Sequence, residues 1–430
     1  MIVGAATPSS ARVVTKVSSL ANVRLAVSTS PDLSSPTYFG PVTPDAQGVA
    51  SVTATGLTAD TRHYWQIEHG GVLDSTYSNG RFRTHPPVGS EASYTVALSS
   101  CAGSSPDYTG VGSVLAADRL SNHPVYDWIR LLDPLVFFHL GDLHYYDLSS
   151  GSHGITGGAS LANFRRGYDD VLAQLRQHQL YREVASAYVF DDHCFLGNDK
   201  RGLEDPTGAA NALTAFRERW PHYPLPNPTD GCYQSIQIGR VLWVLLDVRS
   251  KGSANSAVDN SSKTMLGTLQ KAWLQSLLAA STAQALVVLG GSQWTETDHD
   301  DSWSAFQTER TEVLGIFGTA GGGWLSRMTM GYGDRHATRI ITGPQNTNGG
   351  FPILMASSLD STPSAPASGP WQDIPGRGQY GTIRVDDLGG AGITFTLTAY
   401  AGTRPTMWHS FSTTGSTVIG AGSPSHVLAL

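Results

Sequence analysis

The chain of 430 residues carries only three cysteines, Cys101, Cys194 and Cys232. An odd number that small excludes a dense disulfide framework, and it leaves open either one pair plus a lone thiol or three buried thiols. No apolar stretch approaches the roughly 20 residues that span a bilayer. A surplus of positive charge is missing too: 28 Lys and Arg stand against 35 Asp and Glu, a formal net charge of -7. With the two signs interspersed, the chain has no basic footprint for nucleic acid and no polybasic membrane patch. It shows no internal repeat. Residues Met1 to Pro8 lack the basic region and long apolar core of a signal peptide, so the residues suggest a cytoplasmic protein or one whose leader has been removed.

What is present describes an ordinary globular chain, 40% hydrophobic and 15% charged. At this length a single core is outgrown and two or three domains are expected. Residues 11–85 read as short strands of rough polar–apolar alternation (around 12–17, 22–27, 49–54, 64–68 and 81–84), with turn signals at Pro31-Asp32, Pro44-Asp45 and Gly70-Gly71. That spacing predicts a small all-β sandwich. The run Gly56-Leu57-Thr58-Ala59-Asp60-Thr61-Arg62-His63-Tyr64-Trp65 resembles the corner before a late strand in fibronectin type III domains. Pro86-Pro87-Val88-Gly89-Ser90 reads as a linker, which divides the chain into 1–88 and 89–430.

Beyond the linker, strands alternate with helices, the pattern of a layered α/β domain. The central stretch runs from Leu135 to Asp147. Its apolar part, Leu135 to Leu140, lies between Pro134 and Gly141 and suits a strand covered on both faces. Asp142 and Tyr145 follow at once, where open α/β sheets place their ligands. Three more expected strand ends offer metal-ligating side chains: Cys101, the triplet Asp191-Asp192-His193, and Asp334 with His336. A fourth carries Asp247-Val248-Arg249. The carboxylate and phenol oxygens can share a hard cation, and ligating side chains at this many strand ends suit a metal site better than a set of loops. Three consecutive ionisable residues after a core strand would be an expensive loop.

The region from Ser99 to about Val385 resembles the PhoD-like alkaline phosphatase/phosphodiesterase family of the calcineurin-like metallophosphoesterases. The likeness rests on Ser100-Cys101, Gly141-Asp142 with Tyr145, Asp191-Asp192-His193, Leu246-Asp247-Val248-Arg249, Asp301-Ser302-Trp303 with Glu309-Arg310, and Gly333-Asp334-Arg335-His336. Gly141-Asp142-Leu143-His144-Tyr145 is also similar to the iron motif of purple acid phosphatases.

The resemblance implies a calcineurin-like layered β-sandwich flanked by helices, an α/β fold preceded by the small all-β domain. It implies Fe(III) held by Cys101, Asp142 and Tyr145, with one or two Ca2+ ions beside it. Asp142 would be shared with a second site at Asp192, and Asp334 and His336 would complete the cluster, with Asp191 and Asn198 as further candidates. His193 would protonate a leaving alcohol or hydrogen-bond to Asp192. Arg249 would hold a phosphate oxygen or pair with Asp247. Gln293 stands near where related enzymes carry a metal-binding histidine. The chain departs from the family at Cys194, where an acidic residue is usual, and at Asn198-Asp199, where paired asparagines are usual.

The implied activity is hydrolysis of phosphoesters, diesters first, by a metal-bound hydroxide. Phospholipid headgroups, teichoic-acid-like polymers and nucleotide esters are candidate substrates. A strict phosphomonoesterase of the purple acid type and a non-catalytic cell-surface binding module are the alternatives. The resemblance also implies a secreted or periplasmic protein, beside the cytoplasmic alternative, and a monomer is expected. The loops 147–158 and 199–208 are expected to shape the mouth of the site.

Overall fold

The computed structural model of the protein describes residues 1–103, 121–147, 158–295, 299–361, 373–374, 377–414 and 417–421. Two mixed sheets packed face to face make the centre. The larger has ten strands, with Tyr94–Ser99, Phe137–His139 and Ser186–Tyr188 running parallel in its middle. The smaller has six, among them the parallel set Val241–Leu245, Ala285–Gly290, Met328–Tyr332 and Ile353–Met355. Antiparallel strands Gln379–Asp386, Thr394–Ala401, Arg404–Ser412 and Thr417–Ala421 extend the larger sheet.

Sequence patterning explains the layering. Successive strand residues face opposite ways, so a strand covered on both faces must be apolar at every position. In Val241–Leu245, the side chains of Val241, Trp243 and Leu245 enter the core between the sheets. Leu242 and Val244 face outward, into a second core with Leu274 and Leu278 of helix Gly267–Ala280 and Val313 and Phe317 of helix Gln307–Thr319. Across the sandwich, the Phe138 ring stacks on Trp243 with centroids 5.2 Å apart. Burying a side chain of that size contributes on the order of 1.5–3 kcal/mol.

Two helices follow one another from Leu161, Leu161–Leu172 and Leu175–Glu183. Helix Pro206–Arg219 starts where Asp205 accepts the Gly208 N–H at 2.9 Å, with proline in the first turn.

Residues 1–85 form the all-β part. Thr37–Val42, Val23–Ser28, Arg62–His69, Val72–Leu73 and Gly80–Arg83 make one sheet. It packs on Ser10–Lys16 and Val49–Thr55 through Val13, Val52, Trp65, Ile67 and Phe82. Thr37–Val42 contains Pro41, which an edge strand accommodates. The opposing sheet is not self-contained. Ile2–Gly4 pairs with Ser10–Lys16 on one side and, at Gly4, with Ser186 on the other, so the ten-stranded sheet runs from one part of the chain into the other. A Cβ on Gly4 would sit 2.3 Å from the Ser186 carbonyl oxygen, a contact only glycine permits. Among the described residues, no helix is long and apolar enough to cross a membrane.

Candidate metal centre and active site

The candidate ligands lie just past the carboxyl ends of the parallel strands of both sheets. Each strand must turn sharply there to aim a side chain across the sandwich edge. The backbone shows it: Cys101, Asp142, Asp199, Asp334 and His336 all have φ between 51° and 74°. Such left-handed conformations are uncommon for residues other than glycine and gather where function over-determines the chain. At Gly141 the approach is closer still. Its φ is 105°, and a Cβ there would lie 2.2 Å from the Cβ of Asp191.

Four expected ligands meet at one point. Donor atoms of Cys101, Asp142 and His336 lie within 4.8 Å of one another. The Tyr145 hydroxyl is 3.2 Å from Asp142 Oδ2 and 3.4 Å from His336 Nε2. Serines support the group: Ser357 Oγ donates to Cys101 Sγ at 3.0 Å and receives the His336 backbone N–H at 3.0 Å.

A second cluster adjoins the first. Asp191, Asp192 and Asp334 place donor atoms within 4.8 Å of one another, as do Asp142, Asp192 and His193. Asp192 Oδ2 accepts the Asp199 N–H at 2.8 Å, and Gln293 Nε2 donates to Asp334 Oδ2 at 2.6 Å. The site opens through a cavity of about 150 Å³ lined by Asp142, Asp192, His193, Asn198, Asp199, Gln293, His299, Asp334, Arg335 and His336. Asn198 is therefore on the wall. The expected rim 199–208 begins there with Asp199, whereas 148–157 of the other rim lies outside the described residues.

Two expectations are corrected. Arg249 does not line the cavity. Its guanidinium is fully buried, pairing with Asp191 and with Asp301 rather than with Asp247. Asp301 also receives Arg201 at 2.7 Å. Asp191 thus gives Oδ1 to Arg249, although it lies beside Asp192 and Asp334. Its neighbour Asp247 organises the following turn, accepting from the Cys232, Arg249 and Ser250 N–H groups at 2.7, 3.0 and 2.8 Å. Glu309 and Arg310 are likewise scaffold, bonded to Thr264 and to the Trp294 carbonyl. Cys194 and Cys232 are separate, buried free thiols.

Sequence reasoning missed Asp147, His299 and Arg335. Arg335 was in view as the middle of Gly333-Asp334-Arg335-His336 and went unassigned. Asp147 closes the Leu135–Asp147 stretch and is 2.9 Å from His193 Nδ1.

The electrostatics test whether the donors suit cations. Burial, reinforced by mutual repulsion, pushes Asp142, Asp334 and Tyr145 well above their ordinary ranges, and burial also raises the Cys101 thiol. Acids aimed at one another and forced toward neutrality are a costly way to fill a core. Multivalent cations among them reverse that logic and hold every donor ionised. The thiol–phenol–carboxylate–imidazole set fits a trivalent transition ion, and the carboxylate side fits a hard divalent one. Burial opposes charge on His193, yet Asp192 and the Asp147 hydrogen bond outweigh it and hold the imidazolium up to about 9.

Facing sheets whose strand ends converge on clustered carboxylates, a thiol, a phenol and a histidine define the class: a metallophosphoesterase. A family model described as PhoD-like phosphatase matches residues 121–340, just over half the chain, and the chain belongs to that family. It is a metal-dependent phosphoester hydrolase. Among solved structures, the one described as "Structure of PhoD" superposes with a TM-score of 0.75 at 16% identity, covering 99% of this chain and 92% of that one. Purple acid phosphatase PPD1 from yellow lupin (Lupinus luteus) seeds gives 0.63 at 13% identity, covering 96% and 73%. At these identities the likeness is one of fold. No curated protein matches the sequence.

Proposed function

We propose that the enzyme hydrolyses phosphodiesters, with Fe(III) held by Cys101, Asp142, Tyr145 and His336 and one or two Ca2+ held on the side of Asp192, Asp334 and Asn198. The observation that carries this reading is the meeting of a thiol, a phenol, a carboxylate and an imidazole at one point beside a carboxylate cluster. When bound, the cations supply a nucleophile from water near neutral pH and neutralise the phosphoryl oxygens.

The chain's own groups do the rest. Arg335, on the cavity wall, takes the part expected of Arg249 and holds a non-bridging phosphate oxygen through its guanidinium fork. His193 presents its ring to the same cavity and gives a proton to the departing alcohol oxygen as the P–O bond breaks. Arg249 is a positioning residue that holds Asp191, and through it the Asp192-His193 turn, under the site.

The diester preference is supported by Asp199 on the wall, whose carboxylate disfavours the second negative charge of a monoester. Lipid headgroups, teichoic-acid-like polymers and nucleotide esters are the substrate classes we propose. The molecule acts as a monomer outside the cytoplasm, with residues 1–88 and 89–430 as its two domains.

A paired assay tests the reading. Metal-replete protein is given a nitrophenyl phosphate monoester and the matching bis-ester, with Cys101→Ala and Asp142→Asn as controls. Faster cleavage of the bis-ester with silent controls supports it, and faster cleavage of the monoester reassigns the enzyme as a phosphatase. Cleavage of neither points to a surface-binding module.

A further inference from the structure

Resting on the proton-donor reading of His193, we infer that Asp147 is the residue that makes His193 a leaving-group acid, by fixing which ring nitrogen faces the substrate. Asp147 Oδ2 lies 2.9 Å from His193 Nδ1. Both side chains are only 13% exposed, so water competes poorly for the bond. The other carboxylate oxygen, Asp147 Oδ1, is buried with no hydrogen-bond partner among the described residues. A carboxylate so placed has the His193 ring as its partner, and an acceptor on Nδ1 keeps that nitrogen protonated whatever the other one does.

The remaining contacts leave the ring little freedom. The His193 backbone N–H donates to Asp142 Oδ1 at 3.2 Å and to Asp192 Oδ1 at 2.9 Å, which anchors the residue to two candidate ligands. One ring face lies against Tyr145, with centroids 4.5 Å apart. The fit around Asp147 is equally close. Gly197, at φ 104°, sits where a Cβ would come 3.3 Å from both the Cβ and Oδ2 of Asp147. With Nδ1 committed, Nε2 is the nitrogen left for the cavity that His193 lines.

The step balances. As an oxygen from water forms its bond to phosphorus, the P–O bond to the leaving group breaks, and the departing oxygen keeps that electron pair and takes the Nε2–H proton. The electron pair of the N–H bond stays on the imidazole, and Nδ1–H remains bonded to Asp147. An alkoxide needs that proton far more than a nitrophenolate does, so losing the orientation must cost most on poor leaving groups.

The experiment uses metal-loaded full-length protein and a pair of aryl phosphoesters, of whichever ester class the wild type cleaves, with 4-nitrophenolate or unsubstituted phenolate as leaving group. Asp147→Ala is expected to lower kcat on the phenyl ester by about ten- to a hundredfold, and to leave the nitrophenyl ester within about twofold. Asp147→Asn, which keeps an acceptor for Nδ1, recovers part of the loss. His193→Gln separates the two layers of the argument. If it discriminates between leaving groups and Asp147→Ala does not, the inference about Asp147 is wrong and the reading of His193 stands. If His193→Gln fails to discriminate, the underlying reading falls first. Equal slowing of both esters by Asp147→Ala and Asp147→Asn, or loss of bound metal from both, would show a purely structural role and overturn the inference.

Discussion

Arg249 and Asp191 form an ion pair that neither solvent nor substrate reaches, both side chains being fully buried. The arginine arrives from the smaller sheet and the aspartate from the larger, so the pair ties the sandwich together immediately below the catalytic cavity. Breaking a buried pair by removing one partner strands the other charge in a dry site. Arg249→Met is therefore expected to destabilise the fold by about 3–5 kcal/mol. Denaturant unfolding measures it; a loss below about 1 kcal/mol would mean that Asp191 is neutralised by something else.

Tyr145→Phe removes one donor of the four-residue cluster and leaves the ring in place. If the proposed iron site is right, the expected result is loss of tightly held iron, disappearance of any phenolate-to-iron absorption band in the visible, and at least about a hundredfold lower activity, beyond what outer-shell changes typically cost. Metal analysis and an absorption spectrum check it. A variant with full iron content would remove Tyr145 from the ligand set.

Arg335→Ala should raise KM for phosphoesters with the metal content unchanged. Losing a charge-assisted hydrogen bond of about 1.5–3 kcal/mol corresponds to roughly a ten- to hundredfold rise. Lysine at this position restores only part of the effect, since it lacks the planar fork. Asp199→Asn, on the same wall, should shift the ratio of monoester to diester cleavage toward the monoester. Measured kcat/KM for both esters decides each case.

Acid stability depends on His85, which follows the strand Gly80–Arg83. Burial pulls its pKa down to about 3, and neither ring nitrogen has a partner among the described residues. In the unfolded chain the same ring titrates near 6.5. Between these values the unfolded state binds the extra proton, so stability is complete above about 6.5 and falls as the pH drops toward 3. His85→Phe keeps a ring beside Tyr223 and removes the titration. Urea melts at pH 7 and pH 5 should then differ by about 2 kcal/mol less in the variant than in the wild type.

Gly141→Ala adds a Cβ 2.7 Å from the Asp191 backbone nitrogen, at a φ that side chains rarely adopt. Asp191 cannot yield, because it is pinned by Arg249. A loss of about 3 kcal/mol or more is expected by denaturant unfolding, together with weakened metal binding.

How far the sequence alone could go follows from where each signal lies. Asp142 and Tyr145 were legible because they follow an apolar run of strand length, and strand ends of an α/β domain are where ligands gather. Cys101, Asp192, Asp334 and His336 were legible for the same reason, and the structure brings them together. Arg249 also follows a core strand, and one sequence cannot show which strand-end charges face outward and which face each other across two sheets. Asp191 and Arg249 do the latter. Arg335 and Asp147 sat inside motifs whose other residues drew the assignment. In the fold, the alternation of strands with helices beyond the linker was legible, and the structure has it. The strand Ile2–Gly4 is three residues long and carries no periodicity, so its pairing with Ser186 is visible only in three dimensions.

That pairing changes what the small sandwich is for. Strand Ser186–Tyr188 leads directly into Asp191-Asp192-His193, and without Ile2–Gly4 its outer rim would be exposed at Ser186. Exposed rims of this kind recruit other chains. The N-terminal strands are thus a selvage: they close the weave of the larger sheet beside the strand that leads to the site, and cutting them away would leave a protein prone to adhere to itself at the very element that must stay in register.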